Sequence, residues 1–182
     1  MTMMKRLAAL VLALAMLLTL AACGGDNTDG NDVQSGGSTL VYGSGDYTRI
    51  NPAMDEHGEI NVLLFDGLTD HDGDGQVIPR LAERWDYDPD TLTYTFYLAQ
   101  GVTWHDGQPF TAEDVKFTYE AIMDPDNGSE NAPNYEDVTD ITVIDDHTVS
   151  FTLSAVNTAF LEYMTIGILP EHLLQGEDMQ TS

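Results

Sequence analysis

The sequence predicts an α+β domain whose central strands are mostly antiparallel, and three observations support this fold class. Apolar and polar side chains alternate over residues 92–98, which is the period of a half-buried strand. Residues 141–144 and 149–153 are two further strand-like segments separated by a short polar turn, as in an antiparallel hairpin. Apolar side chains recur at helical spacing over residues 115–122, as an amphipathic helix requires.

The N-terminus is typical of an exported lipoprotein. Lys5 and Arg6 precede an apolar run, 7–20, that is too short to span a bilayer comfortably and is followed by small residues. The run ends in Leu-Ala-Ala-Cys, which resembles a bacterial lipobox, and Cys23 is the only cysteine of the chain. Residues 1–22 are therefore predicted to be a cleaved signal peptide and Cys23 the lipid attachment site. The alternative is an ordinary signal peptide with an unrelated cysteine at its end.

Residues 23–38 are predicted to be the lipidated cysteine and a flexible tether, and residues 39–182 a folded region. Between Gly24 and Ser38 the only apolar side chain is Val33, which is too little to build a core. Random-coil scaling gives such a segment a mean reach of about 20 Å. The folded region is therefore expected to lie just outside a membrane, anchored to it but not embedded.

The charge of the chain argues against nucleic-acid binding. It has 31 acidic residues and 6 Lys and Arg residues, for a formal net charge of −25. Such a surface repels phosphate backbones and anionic lipid headgroups. With 42% hydrophobic residues in 182, the chain can still build a core for one domain or one and a half.

The other elements follow from local signals. A short apolar segment, 39–43, is expected to open the folded region as a strand, and 59–65 is predicted to be a helix. Residues 70–79 are rich in Asp and Gly and predict a turn, and a further strand is expected at 102–104 after a glycine break. The last predicted helix, 158–164, follows Asn157 as its cap.

A reactive-looking stretch, Thr-Trp-His-Asp-Gly-Gln-Pro-Phe-Thr-Ala-Glu-Asp-Val, occupies residues 103–115. Its Asp-Gly pair favours a hairpin turn. Thr111 followed by Asp114 resembles a capping box at a helix start, and Phe110 and Val115 occupy the positions of a hydrophobic staple. The stretch is therefore predicted to be scaffold.

No catalytic residue and no cofactor are predicted. His105 and Asp106 are neighbours in sequence, which gives no reason for the geometry of a base and its orienting acid. The sequence has no glycine-rich phosphate loop and no nucleophile elbow, and its histidines are scattered. An exported, lipid-anchored hydrolase remains the alternative from the enzyme class.

One acidic segment matches the first half of a calcium-binding loop. Asp70, Asp72 and Asp74 occupy the first ligand positions, followed by Gly75. The position of the bidentate glutamate is Leu81, so a polar hairpin turn is the favoured interpretation. A weak calcium site in a surface interaction module remains the alternative.

Residues 75–125 resemble the signature region of the solute-binding proteins of peptide/nickel-type ABC importers, known as family 5. The resemblance rests on Pro79, Leu81, Ala82, Trp85, Tyr94, Phe96, Leu98, Val102, Trp104, His105-Asp106-Gly107 and residues 111–117. Asn51-Pro52, 65–68 and 168–174 resemble flanking segments of the same family, so that about residues 39–176 are covered.

The resemblance implies an α/β fold of the two-lobed, type II periplasmic-binding-protein-like class, of which this chain is the α+β N-terminal portion. The second lobe is expected to lie beyond its last residue. The implied function is non-catalytic: a monomer that captures oligopeptides outside the cytoplasm and delivers them to the permease and ATPase subunits of an ABC importer. Nickel chelates and oligosaccharides remain alternative ligands, although the loops have few aromatic and basic residues.

The resemblance also implies which loops face the ligand. They are the loop after the first strand, the loop around Asn-Pro and the segment returning toward the main lobe. The candidate ligand-binding residues are Gly43, Ser44, Asp46, Met54, Asp55, His57 and Thr165. The alternative for each is a solvated loop residue.

Overall fold

Two antiparallel sheets lie at the centre of the part of the chain that the structure describes. The structure is a computed structural model and describes Gly43, residues 50–54 and residues 60–181. Contacts within the chain place these residues in one unit, 43–182, distinct from residues 1–42. The predicted signal peptide, the tether and nearly all of the predicted first strand therefore lie outside the described residues.

The larger sheet has four strands and the smaller sheet two. In chain order the strands are β1 (Thr69–His71), β2 (Val77–Pro79), β3 (Ala82–Asp88), β4 (Thr93–Leu98), β5 (Val138–Asp145) and β6 (Thr148–Leu153). The order in the larger sheet is β3-β4-β6-β5, so β3 and β5 are its edges. Every neighbouring pair is antiparallel, as predicted for the centre of the fold.

One longer helix and several single-turn helices accompany the sheets. They are α1 (Asn61–Leu64), α2 (Ala112–Met123), α3 (Phe160–Tyr163), α4 (Glu171–Leu174) and a 3₁₀ helix (Ala132–Tyr135). Within the described ranges, none of these helices has the length and apolar character needed to cross a bilayer.

The hydrophobic core lies between α2 and one face of the larger sheet. Alternate residues of β6, namely Val149, Phe151 and Leu153, are buried, as the period of a strand with one covered face demands. The ring of Phe151 meets that of Tyr119 in α2 edge-on, with centroids 5.1 Å apart. It meets Phe96 in β4 in the same manner at 5.7 Å. The contact between Phe151 and Tyr119 holds α2 on the sheet, since burying one large apolar side chain stabilises a fold by about 1.5–3 kcal/mol.

The strands predicted from alternation are confirmed. The segment 92–98 forms β4, which begins one residue later because Leu92 has a φ of 54°, in the left-handed region that ends an extended run. The predicted hairpin is β5 and β6, and its turn is closed where the Asp145 carboxylate accepts a hydrogen bond from the backbone N–H of His147 at 2.8 Å.

Three predictions are corrected by the structure. Residues 102–104 form only an isolated bridge, Thr103 with Pro109, because the chain turns back at once instead of joining a sheet. The helices predicted at 59–65 and 158–164 shrink to α1 and α3, each a single turn. In addition to these three corrections, the structure has a strand, β3, that the sequence did not predict, because its charged residues obscure the alternation of apolar and polar side chains.

Candidate ligand-facing loops and the contacts that hold them

Three of the seven predicted ligand-facing residues fall within the described residues. Gly43 is exposed and Thr165 is half-buried. Met54 is 1% exposed and belongs to the hydrophobic core of the described residues, and its contact with a ligand stays a prediction. The other four, Ser44, Asp46, Asp55 and His57, lie outside the described residues, as does Cys23.

The Asn-Pro loop, residues 51–54, is held by its own asparagine. The side-chain oxygen of Asn51 accepts a hydrogen bond from the backbone N–H of Ala53 at 3.1 Å, as in an Asx turn. Its amide nitrogen donates to the backbone oxygen of Met179 at 3.4 Å. Because Asn51 is only 2% exposed, water cannot reach its side-chain amide, and these two protein partners satisfy its oxygen and its nitrogen instead.

A second loop clamps the Asn-Pro loop from the other side. The hydroxyl of Ser129 donates to the backbone oxygen of Ala53 at 2.5 Å. The side-chain amide of Asn131 donates to the backbone oxygen of Pro52 at 3.3 Å. Both side chains are buried, so the backbone carbonyls of the Asn-Pro loop are fixed by hydrogen bonds shielded from water. We call Asn51, Ser129 and Asn131 the asparagine clamp.

The sequence did not reveal Ser129 and Asn131 as members of this site. They lie in a polar stretch, Asn-Gly-Ser-Glu-Asn, that is typical of a solvated loop. Their partners are 76 and 79 residues away in the chain, a separation for which no local pattern gives a signal.

The predicted segment around Thr165 lies against the Asn-Pro loop. A methyl group added at Gly167 would be 2.4 Å from the Cβ of Phe65 and 3.2 Å from the Cγ of Pro52. One added at Gly67 would be 2.6 Å from the carbonyl carbon of Thr165. The two glycines thus allow the backbone of 165–167 to approach two other segments closely, and the structure brings two of the predicted ligand-facing segments together.

Residues 103–115, which we call the signature stretch, are scaffold, as predicted, and Asp114 holds them together. The Asp114 carboxylate accepts hydrogen bonds from the backbone N–H of Thr111 at 2.8 Å and from the indole N–H of Trp104 at 3.3 Å. The predicted capping box is present at the start of α2. The other carboxylate oxygen accepts from the backbone N–H of Glu171 at 2.9 Å, which ties α4 to the stretch.

Two histidine–carboxylate pairs fasten the segment 160–174 at its ends. The Nε2 atom of His172 lies 2.8 Å from a carboxylate oxygen of Asp106, and that of His71 lies 2.5 Å from one of Glu162. The backbone N–H of Gln108 and the His172 ring lower the pKa of Asp106 from its ordinary value. The Asp106–His172 pair therefore ties the turn after Trp104 to α4.

The acidic turn after β1 is a polar hairpin turn. The Asp72 carboxylate accepts hydrogen bonds from the backbone N–H groups of Asp74 and Gln76, both at 2.9 Å. Gly75 has a φ of 75°, which this turn requires. Among the described residues, no three His, Cys, Asp or Glu side chains are grouped so that they could hold a metal ion.

The comparison with protein families gives one match. Residues 76–177 match the family described as bacterial extracellular solute-binding proteins, family 5, middle. This range runs from the turn before β2 to just past α4, so it contains the larger sheet, α2 and the signature stretch.

Curated relatives with similar sequences are named for peptide binding. The chain is 36% identical over 121 residues to Di/tripeptide-binding protein 1 of Pseudomonas aeruginosa, covering 57% of this chain and 22% of that protein. It is 30% identical over 162 residues to Di/tripeptide-binding protein 3 of the same species, covering 76% of this chain and 30% of that protein. The chain thus spans less than a third of the length of these relatives.

Solved structures confirm the predicted fold class. NikZ from Campylobacter jejuni, solved in complex with Ni(L-His), is 41% identical, with a TM-score of 0.73 over 76% of this chain and 28% of that one. The oligopeptide-binding protein AppA from Bacillus subtilis, solved in complex with a nonapeptide, is 28% identical, with a TM-score of 0.69 over 75% and 28%. Both are periplasmic-binding proteins of type II, and the described residues correspond to an α+β portion of that fold. The chain belongs to the bacterial extracellular solute-binding proteins of family 5.

Proposed function

We propose that this chain is the N-terminal portion of the substrate-binding component of an ABC importer, which captures oligopeptides outside the cytoplasm and delivers them to a membrane permease coupled to ATPase subunits. The observation that carries the proposal is the family match over residues 76–177, joined to relatives named for peptide binding. The asparagine clamp and the close packing at Gly167 support it, because loops that are already held in place lose less conformational freedom when a ligand binds beside them.

A nickel chelate is the second candidate ligand. It is favoured by the similarity to NikZ, whose structure holds Ni(L-His). Among the described residues no cluster of metal-ligating side chains is present, so these residues would contact the chelator and not the metal.

Native mass spectrometry of the full chain tests these candidates directly. The chain is mixed with an equimolar set of di- to nonapeptides, with Ni(L-His), and with maltotriose as the uncharged oligosaccharide control. Peptides that stay bound to the chain support the proposal. If only Ni(L-His) stays bound, the ligand class is nickel chelates and not peptides. Retention of maltotriose alone, or of nothing, contradicts capture of peptides by this chain.

We further propose that Cys23 carries the lipid and that the protein is a membrane-anchored monomer. A short apolar run ending in Leu-Ala-Ala-Cys supports this, and the cysteine has no partner elsewhere in the sequence for a disulfide. In cells fed an alkyne-labelled fatty acid, the wild-type protein should acquire the label and Cys23→Ser should not. A labelled Cys23→Ser protein would reject the attachment site, and sedimentation velocity reports the oligomeric state.

A further inference from the structure

The turn that follows α2 contains the one asparagine of the sequence that precedes a glycine, Asn127 before Gly128. In such a pair the backbone nitrogen of the glycine can attack the side-chain amide carbon of the asparagine, because glycine has no Cβ to obstruct the approach. The nitrogen gives up its proton, the bond from that carbon to its NH₂ group breaks, and ammonia leaves a succinimide ring behind. Water then opens the ring to aspartate or, at its other carbonyl, to isoaspartate.

The backbone nitrogen of Gly128 is accessible for this attack. Gly128 is exposed and has a φ of 60°, in the left-handed region. The turn is closed by the residue before it, since the N–H of Asn127 donates to the backbone oxygen of Asp124 at 3.1 Å. Within the described ranges the N–H of Gly128 donates no hydrogen bond, so hydroxide can remove its proton.

The amide group that would leave is held on the end of α2. The backbone oxygen of Ala121 has no donor four residues on, because residue 125 is a proline and has no N–H. The Nδ2 atom of Asn127 donates to this oxygen at 2.9 Å instead. The side chain must break that hydrogen bond before ammonia can leave. The last turn of α2 therefore slows the reaction.

The products would act on the asparagine clamp, because Asn127 lies two residues before Ser129. The Ser129 hydroxyl holds the backbone oxygen of Ala53. Isoaspartate routes the main chain through the former side chain and lengthens it by one CH₂ group just before Ser129. Both products also place a carboxylate at the C-terminus of α2, beside Asp124 and Asp126, where negative charge is unfavourable.

We propose that Asn127 is a site of spontaneous deamidation, that its hydrogen bond to Ala121 slows the reaction in the folded chain, and that the product loosens the asparagine clamp. The reaction consumes water and releases ammonia, so it needs no enzyme and does not depend on which ligand the protein binds. Aged copies of the protein then hold the Asn-Pro loop less firmly than new ones.

Peptide mapping by mass spectrometry, with fragmentation to locate the residue, tests the site. The full chain is incubated in mildly alkaline buffer, folded or in guanidinium chloride, and followed for the gain of one dalton that accompanies deamidation. Asn127 should convert in both samples, whereas Asn134 and Asn157, which precede Tyr and Thr, should stay unchanged over the same period. An unconverted Asn127, or equally fast conversion of Asn134 or Asn157 in guanidinium chloride, overturns the site.

The same samples test whether α2 slows the reaction. The folded chain should convert about two- to tenfold more slowly than the unfolded chain, which is the factor that one hydrogen bond of ordinary strength gives. Glu120→Gly, in the last turn of α2, should speed conversion of the folded chain by up to about fivefold, because glycine weakens a helix. Glu113→Gly is the matched control, since it replaces an exposed glutamate in the first turn of the same helix. Equal rates in the folded and unfolded chains, or equal effects of the two substitutions, overturn the role of Ala121.

Hydrogen exchange tests the effect on the asparagine clamp. Asn127→Asp is one of the two products and should speed exchange of the Ala53 and Met54 N–H groups, which are hydrogen-bonded within the Asn-Pro loop. Asn157→Asp adds the same charge elsewhere and keeps the acceptor for the Ala159 N–H, so it should not. Unchanged exchange in Asn127→Asp and in isoaspartate-containing chain isolated by ion exchange overturns the link to the clamp. Circular dichroism verifies that each sample is folded.

Discussion

Among the described residues, Asp114 joins the start of α2 to Trp104 and to α4. Its position three residues after Thr111 predicted the cap of α2, because capping is a local interaction that a sequence reveals. Its bonds to Trp104 and Glu171 could not be predicted, since Glu171 is 57 residues away. With 4% exposure, the carboxylate has little access to water, so its protein donors must satisfy it.

Asp114→Asn is expected to lower the free energy of unfolding by about 2–3 kcal/mol. Both carboxylate oxygens of Asp114 accept hydrogen bonds from N–H groups. In the variant one of these oxygens is replaced by an NH₂ group, whose hydrogens would face those N–H donors. Urea unfolding monitored by fluorescence measures the change. Glu113→Gln is the matched control, because Glu113 is an exposed carboxylate in the same turn of α2, and its loss should change stability by less than about 0.5 kcal/mol. Equal effects of the two substitutions would contradict the role given to Asp114.

Two buried tyrosines are expected to respond in opposite ways to loss of the hydroxyl. Tyr119 is fully buried, its hydroxyl has no hydrogen-bond partner among the residues that the structure describes, and burial raises its pKa far above the ordinary value. The Tyr135 hydroxyl donates to the backbone oxygen of Tyr163 at 2.5 Å.

Tyr119→Phe should therefore leave the free energy of unfolding unchanged or raise it by about 1 kcal/mol, whereas Tyr135→Phe should lower it by about 1 kcal/mol. Thermal unfolding of the two variants side by side checks the contrast. A Tyr119→Phe protein less stable than Tyr135→Phe would show that the Tyr119 hydroxyl has a favourable partner.

At the scale of elements, the sequence predicted what local periodicity determines. Strand β4, the β5–β6 hairpin and the body of α2 were found because their apolar residues repeat with the period of the element, and the start of α2 was found from its capping box. Strand β3 was missed because an edge strand with one exposed face can carry many charges. The asparagine clamp and the inward orientation of Met54 depend on contacts between distant segments, which period and propensity do not encode.

Gly167→Ala should destabilise the packing of the segment 165–167 against its neighbours. The added methyl group would lie 2.4 Å from the Cβ of Phe65, so the backbone must shift, at a cost of about 1–3 kcal/mol. Gly73→Ala is the matched control, since its methyl group would meet no atom within 4 Å. Hydrogen exchange should show faster exchange near residue 167 in the first variant only. Unchanged exchange there would mean that the close approach at Gly167 is not required.

At the scale of the whole molecule, charge is the dominant property. A net charge of −25 on 182 residues implies strong self-repulsion in the compact state, which dissolved salt screens. Raising KCl from about 0.05 M to about 0.5 M is therefore expected to raise the melting temperature by several degrees. A neutral osmolyte at equal osmolality is the control for effects other than screening. A melting temperature that is insensitive to KCl but rises with the osmolyte would reject self-repulsion as a limit on stability.

The two edges of the larger sheet have a consequence for solubility. Edge strand β3 carries Glu83, Asp86 and Asp88, and edge strand β5 carries Asp140 and Asp145. At neutral pH these carboxylates oppose the addition of a strand from another molecule, because two such edges repel one another. In acid these carboxylates become neutral, and Arg84 in β3 is then the charge that remains on the two edges. The same carboxylates that keep the protein dispersed near neutral pH lose their charge in acid. Acidification is therefore expected to favour fibrillar assembly through these edges.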